Sequence, residues 1–276
     1  MIGRRTLLAA GALLPLARLA QAQTRAPTPE DILPLRGRLV QGGHAIGRAE
    51  PGAVIRLDGQ EVGRASEGGW FIVGFDRDAP LEARISAGPR ERLIALDRGD
   101  FPIRRIDGLP PSTVTPTDPA LLERIRREAE LKRAAYASRD PSDHFRDGFD
   151  WPLESIRVTS PWGAQRILNG TPARPHYGID LAAPTGAPIR APAAGLVVLA
   201  EPDMHFEGGL TFIDHGQGLI SAYLHQSSLD VRQGDRVVRG QIIGRAGDRG
   251  RATGPHLCWR LKWRDQNLDP SLMVRA

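Results

Sequence analysis

His256 and Cys258 stand two residues apart in Gly254-Pro255-His256-Leu257-Cys258-Trp259. On a strand, residues i and i+2 point to one face, so this imidazole and this thiol can address a single metal ion. A second pair, His176 and Asp180 in His176-Tyr177-Gly178-Ile179-Asp180, is spaced by four, which again keeps both side chains on one strand face. A hydrolytic metal centre takes three protein ligands and leaves a position for water. His176, His215, His225 and His256 fall in the C-terminal half near such partners, and His205 sits in the loop-like Asp203-Met204-His205-Phe206-Glu207. His44, in a Gly-rich turn with no second ligand beside it, reads as structural or solvent-exposed. The chain has one cysteine, so it cannot form an internal disulfide. Cys258 is therefore a buried small hydrophobe, a free thiol, an intermolecular link or a metal ligand, and the histidine two residues before it weights the ligand role.

The elements that must position these residues are short strands. From residue 151 onward, Leu196-Val197-Val198-Leu199, Leu210-Thr211-Phe212-Ile213, Leu219-Ile220-Ser221-Ala222-Tyr223, Ile242-Ile243 and Leu257-Cys258-Trp259-Arg260-Leu261 read as strands, with glycines between them. That rhythm predicts a mainly β unit over 151–272, a folded antiparallel sheet or barrel-like sheet. Residues 35–106 read as a smaller β-sandwich-like unit, with strand runs at Val54-Ile55-Arg56-Leu57, Trp70-Phe71-Ile72-Val73 and Leu93-Ile94-Ala95-Leu96. No chemistry is visible in it, and a binding or spacing role is expected. Gly108-Leu109-Pro110-Pro111-Ser112-Thr113-Val114-Thr115-Pro116 is a linker by composition. Asp118-Pro119-Ala120 then starts a linking helix within 117–140. Its ragged stripe of Leu122, Ile125, Ala129 and Leu131 predicts weak packing, and its charges a solvated face.

The 276 residues are enough for a buried core, and 41% hydrophobic with 25% charged residues is ordinary for a globular protein. The net charge of +5 is carried almost wholly by arginine, Lys132 and Lys262 being the only lysines. The arginines are scattered, with no basic run interleaved with aromatics, so no nucleic-acid partner is expected. An anionic envelope polymer or membrane surface fits as well. At the N-terminus Arg4-Arg5 precede an apolar run over 7–19, and Ala20-Gln21-Ala22 supplies an A-x-A cleavage signature. Residues 1–22 therefore read as a signal peptide. The paired arginines are compatible with the twin-arginine route and leave Sec export open, and the run is too short to span a bilayer comfortably. The expected location is the periplasm or another exported compartment, with no stable membrane span after the signal is removed.

The residues at the chemistry also carry a resemblance. Ser160-Pro161-Trp162-Gly163-Ala164-Gln165-Arg166, Pro175-His176-Tyr177-Gly178-Ile179-Asp180, Asp214-His215-Gly216-Gln217-Gly218, Tyr223-Leu224-His225, Gly240-Gln241-Ile242-Ile243-Gly244 and Thr253-Gly254-Pro255-His256-Leu257 occur in order over 151–272. This pattern resembles the lysostaphin-type (LytM-domain) zinc metallopeptidases, peptidoglycan endopeptidases that work outside the cytoplasm. The resemblance implies a Zn2+ cofactor held first by His176 and Asp180. It implies that His225 stabilises the polarised intermediate and that His256 acts as general base. The family's third ligand, the second histidine of His-x-His, falls on Cys258, and there the sequence departs from the pattern.

Thiolate binds zinc at about 2.3 Å against about 2.0–2.1 Å for imidazole, so the exchange is chemically allowed. It adds a negative charge and should weaken the metal as a Lewis acid. The reading that follows is an exported zinc endopeptidase of peptidoglycan cross-links or stem peptides, with Cys258 as an atypical third ligand. The alternative is a degenerate peptidase-like domain that binds cell wall or, with a regulatory protein partner, activates an amidase. A weaker third reading is a β-rich carbohydrate or surface binder resting on the N-terminal unit.

Overall fold

Glycine-punctuated runs of β-branched and aromatic residues give strands throughout. In the computed structural model the described residues are 32–109 and 116–275, so the signal peptide expected over 1–22 lies outside them. The N-terminal strands form two antiparallel sheets. One runs Leu35–Arg38, His44–Arg48, Trp70–Gly74, and the other Gln60–Arg64, Val54–Leu57, Glu82–Ala87, Arg90–Ala95. The hairpin between Val54–Leu57 and Gln60–Arg64 turns on Asp58 and Gly59, both at positive φ (50° and 82°), the twist-matched two-residue turn that favours this dipeptide. Glu82–Ala87 alternates outward and inward residues, so Ala83, Ile85 and Ala87 enter the core.

This unit does not stop at its own sheets. Its last strand, Ile103–Ile106, pairs in parallel with Gln165–Leu168 of the C-terminal half, matching Ile103 to Gln165 and Ile106 to Leu168. One continuous hydrophobic cluster also joins Phe71, Ile72 and Ile85 to Tyr223, Trp259 and Trp263.

The C-terminal half is built on one antiparallel sheet. Its strand order is Arg236–Val237, Gly195–Met204, Gly208–Asp214, Leu219–Gln226, His256–Trp263, Ile179–Ala182, Val158–Ser160, with Gln266–Leu268 pairing His256–Trp263. The chain is mainly β, as its sequence predicts. The sheet stays open, however: the path ends at Arg236–Val237 and Val158–Ser160, which do not pair, so the barrel-like closure does not form. One face, with Tyr223, Trp259 and Leu257, packs on the shared core. The other, with Phe212, Ala222, Leu224 and Cys258, packs on Ala135 and Tyr136 of a helix.

That helix, Pro119–Tyr136, starts where Asp118 caps it by accepting the Leu121 N–H, with proline in the first turn. Its charges are not simply a solvated face. The buried Glu128 carboxylate accepts the His205 backbone N–H and pairs with Arg124, Arg124 also reaches Asp203, and Lys132 meets Glu207 at 2.5 Å. The helix therefore grips the tip of the Gly195–Met204/Gly208–Asp214 hairpin through ion pairs, while Leu122 and Leu131 stay exposed. Among the described residues no helix is long and apolar enough to cross a membrane.

Candidate metal centre

Strand register brings the thiol and the carboxylate together. In the antiparallel pair Ile179–Ala182/His256–Trp263, Asp180 lies directly opposite Cys258, where side chains on one face are neighbours. Along His256–Trp263 the alternation is clean: His256, Cys258 and Arg260 share the face away from the core, while Leu257, Trp259 and Leu261 are buried beneath. His176 arrives differently from the sequence expectation. It precedes the Ile179–Ala182 strand and has no strand alternation. Two backbone hydrogen bonds to the Ser160-to-Gln165 turn fix it instead, His176 N–H to Ala164 O at 2.8 Å and Gly163 N–H to His176 O at 2.7 Å.

The result is a compact donor set. His176 Nε2 lies 3.2 Å from Asp180 Oδ1 and 3.4 Å from Cys258 Sγ, and the three ligand atoms all fall within 4.8 Å of one another. Tetrahedral bonds of zinc-like length would separate N from O by ~3.3 Å and N from S by ~3.6 Å, close to the spacings observed. Asp180 Oδ1 is buried and makes no hydrogen bond among the described residues, an orphaned acceptor of the kind a cation satisfies. One imidazole, one carboxylate and one thiol are also a borderline-soft donor set of the sort zinc takes. The residues present fit a zinc ion.

Gly178 makes room for the sulfur. A Cβ there would lie 2.7 Å from Cys258 Sγ and 2.8 Å from Arg260 Cγ. The Ser160 hydroxyl stands 3.2 Å from His176 Nδ1, an outer contact that orients the ring so that Nε2 faces the other two donors.

His225 and His256 stand beside this set with their rings 4.7 Å apart. His256 Nδ1–H donates to Gly254 O at 2.8 Å, which leaves Nε2 turned inward, 3.7 Å from Asp180 Oδ1. His225 Nδ1–H donates to Arg249 O at 2.8 Å. By strand alternation His225 should point away from the site, because its neighbour Leu224 pairs with Cys258. A register shift against Gly208–Asp214 and a left-handed φ of 65° at His225 break the alternation, and His225 lines the same groove as Leu224. Its backbone N–H, bonded to Glu207 O at 2.7 Å, holds the bulge.

The electrostatics are those of a site shielded from water. Burial alone would raise the Asp180 carboxyl, but the His176 and His256 imidazoles and the Arg166 guanidinium, 3.3 Å from Oδ2, hold it well below the usual carboxylate range. Burial, reinforced by the Asp180 charge and opposed by Arg260, pushes the Cys258 thiol up to about 12. Burial also lowers the His176 and His225 imidazoles, the latter to about 4 with help from His256. Without a cation the centre thus holds a neutral imidazole and a thiol beside one carboxylate.

Not every histidine of the C-terminal half joins the site. His215 is fully buried, with Nδ1 on Ala194 O at 2.8 Å and Nε2 on the Ser221 hydroxyl at 2.7 Å, a core polar chain that runs on to Tyr223. His205 sits at the hairpin tip that the helix grips. His44 is buried in the His44–Arg48 strand. Residues that sequence reasoning passed over complete the groove of ≈ 470 Å³: Arg166, Arg251, Arg260, Glu207 and Leu109. Arg260 had a usable signal, being two residues beyond Cys258 on the same strand face. Leu109 had none. It comes from the segment after the N-terminal unit and is held by paired bonds between its backbone and the Asn169 side chain (3.1 and 2.8 Å).

Comparison with known proteins places this geometry. Residues 174–270 match the model of Peptidase family M23. The peptidoglycan DD-endopeptidase ShyA of Vibrio cholerae is 37% identical over 113 residues, 40% of this chain and 26% of that protein. The DD-carboxypeptidase/endopeptidase Mpg of Neisseria meningitidis is 36% identical over 119 residues, 43% of this chain and 27% of that protein. The chain thus spans about a quarter of the length of these curated relatives. A solved Pseudomonas aeruginosa structure assigned to peptidase M23 aligns far more widely, with 31% identity, 86% of this chain and 95% of that one covered, and a TM-score of 0.65. With its sheet, its His-Asp-Cys cluster and its two facing histidines, the chain belongs to peptidase family M23.

Proposed function

We propose that the chain is an exported zinc-dependent endopeptidase acting on the peptides of peptidoglycan, with His176, Asp180 and Cys258 as metal ligands. The observation that carries this reading is the convergence of those three donor atoms within 4.8 Å at the floor of a groove that His225 and His256 also line. Bound there, zinc would supply a Lewis acid for the scissile carbonyl and lower the pKa of a water. His256, its Nδ1–H tied to Gly254 O, offers the Nε2 lone pair as the base that accepts the proton of the attacking water. His225 is neutral at rest because burial and the neighbouring His256 disfavour its charged form. Taking up a proton from solvent at Nε2, its ring would stabilise negative charge that develops across the groove, so its stabilisation is concentrated in the transition state. The groove has a volume of ≈ 470 Å³, and the names of the relatives support peptidoglycan as the polymer. Export fits that substrate, as does the N-terminal signal-like segment.

Thiolate at the third position gives the centre two anionic protein ligands in place of one, so its water is less acidified than at a His/Asp/His centre. The test is purified protein assayed for zinc and for release of soluble fragments from isolated peptidoglycan, alongside Cys258→His. One zinc per chain is expected, with hydrolysis that rises in Cys258→His. A folded protein that takes up no zinc, or zinc-loaded proteins that both leave peptidoglycan intact, would overturn the reading.

A further inference from the structure

The groove that holds the donor set is unusually basic for a site whose own ligands are anionic. Its walls carry Arg157, Arg166, Arg251 and Arg260 against only two acids, Asp180 and Glu207. Each acid already meets a cation at one oxygen: Asp180 Oδ2 faces Arg166 at 3.3 Å, and Glu207 Oε1 meets Lys132 at 2.5 Å. Arg166 faces Asp180 at 3.3 Å and Arg260 faces Cys258, but a zinc ion with one carboxylate and one thiolate ligand would be neutral as a whole, so the centre would leave the summed positive charge of the groove uncancelled.

The arginines are also held in place before any ligand arrives. Arg166 projects from Gln165–Leu168 and Arg260 from the strand face of Cys258, and the Nε atoms of both are buried without a hydrogen-bond partner among the described residues. Buried donors of this kind are costly unless a ligand completes them. Arg251 stacks its guanidinium 4.8 Å from the centre of the Phe206 ring, another groove residue, which fixes the plane of its fork. The three lie close enough that Arg166 and Arg260 oppose the charge on Arg251. Planar guanidinium forks pair with carboxylates in a bidentate way that a lysine cannot reproduce.

We propose that Arg166, Arg251 and Arg260 form an anion subsite that takes a free carboxylate of the substrate peptide next to the reacting amide. The inference deepens the peptidase reading and rests on it for the identity of the polymer. It assigns to this groove a preference for peptides whose carboxyl groups are free over the same peptides in amidated form. Arg251 is the residue chosen for the test, its guanidinium stacked 4.8 Å from the centre of the Phe206 ring on the groove wall.

The experiment uses the full zinc-loaded chain and the uncross-linked tetrapeptide monomer released from peptidoglycan by a muramidase, which contains no cross-link to cut. Binding is measured by calorimetry for this monomer and for the same material after its carboxyls are converted to carboxamides with carbodiimide and ammonia. Amidation is expected to weaken binding at least tenfold. Arg251→Gln is expected to weaken the carboxylate form about tenfold, leave the amide form unchanged, and leave zinc content and melting temperature as in the parent. Equal binding of the two forms by the parent protein overturns the subsite, and that comparison needs no variant. So does an Arg251→Gln protein that keeps the full preference for the carboxylate. A clear carboxylate preference in a zinc-loaded protein that cuts no peptidoglycan would support the subsite and overturn the peptidase reading, so the two failures are separate.

Discussion

Gly178→Ala tests the metal centre through one atom. Gly178 does not occupy the left-handed region, so its backbone accepts alanine and the effect is purely steric. The new Cβ would sit 2.7 Å from Cys258 Sγ, 2.8 Å from Arg260 Cγ and 3.2 Å from Trp259 O. Ordinary contact between such atoms is about 3.5–4.0 Å, so the sulfur must retreat by ~0.8 Å or more. A metal–ligand distance tolerates about 0.2 Å. Without metal the thiol can rotate and the Arg260 stem can shift, so the strain falls mainly on the metal-bound form. Overpacking of this size costs about 1–3 kcal/mol, which corresponds to zinc binding weakened roughly 5- to 150-fold. The assay is competition for zinc against a chelating dye, with circular dichroism and melting temperature of the zinc-free protein as the check on folding. A well-folded Gly178→Ala protein that binds zinc as tightly as the parent would refute the assignment of Cys258 as a ligand.

Two further perturbations follow from buried groups away from the centre. Burial holds His44 at about 4, aided by Arg36 and Arg38, and holds His215 at about 4 against the hydrogen bond to Ala194. The unfolded chain, with histidines near 6.5, therefore binds more protons between pH 6.5 and 4; stability is complete above that window and is lost as pH falls through it, by up to about 3 kcal/mol per histidine. Urea midpoints from pH 7.5 to 4.5 should fall accordingly and fall less steeply in His215→Gln, and a flat profile would contradict the burial argument. Glu128→Ala removes the carboxylate that accepts the His205 N–H and pairs with Arg124 at 2.7 Å. A loss of about 1.5–3 kcal/mol is expected, or roughly 5 °C in melting temperature, with zinc binding kept; an unchanged melting temperature would mean that the helix does not anchor the hairpin.

Much of the site could be read from the chain because it depends on local rules. The two-residue spacing of His256 and Cys258 works as expected on a strand, and extending it by two would have named Arg260 as well. The capped start of the helix at Asp118-Pro119 was legible for the same reason, since the capping bond spans only three residues. His176 and Asp180 meet as the sequence suggested but for another reason, because backbone bonds to Gly163 and Ala164 place His176 outside any strand. The buried ion pairs of Glu128 and Lys132 were hidden, since a charged helix reads as solvated unless one knows what lies opposite it.

By itself the sequence determined the donor types, the strand faces of His256 and Cys258, the mainly β class and the membership of a peptidase-like pattern, all of which depend on residue identity and short-range geometry. Only the tertiary structure decided that Asp180 stands across the ladder from Cys258 and that a bulge turns His225 into the groove. It alone decided that the open sheet leaves three arginines around His176, Asp180 and Cys258, with a segment beyond the N-terminal unit as a wall. Those outcomes depend on strand register and on contacts between residues far apart in the chain, which no local pattern encodes.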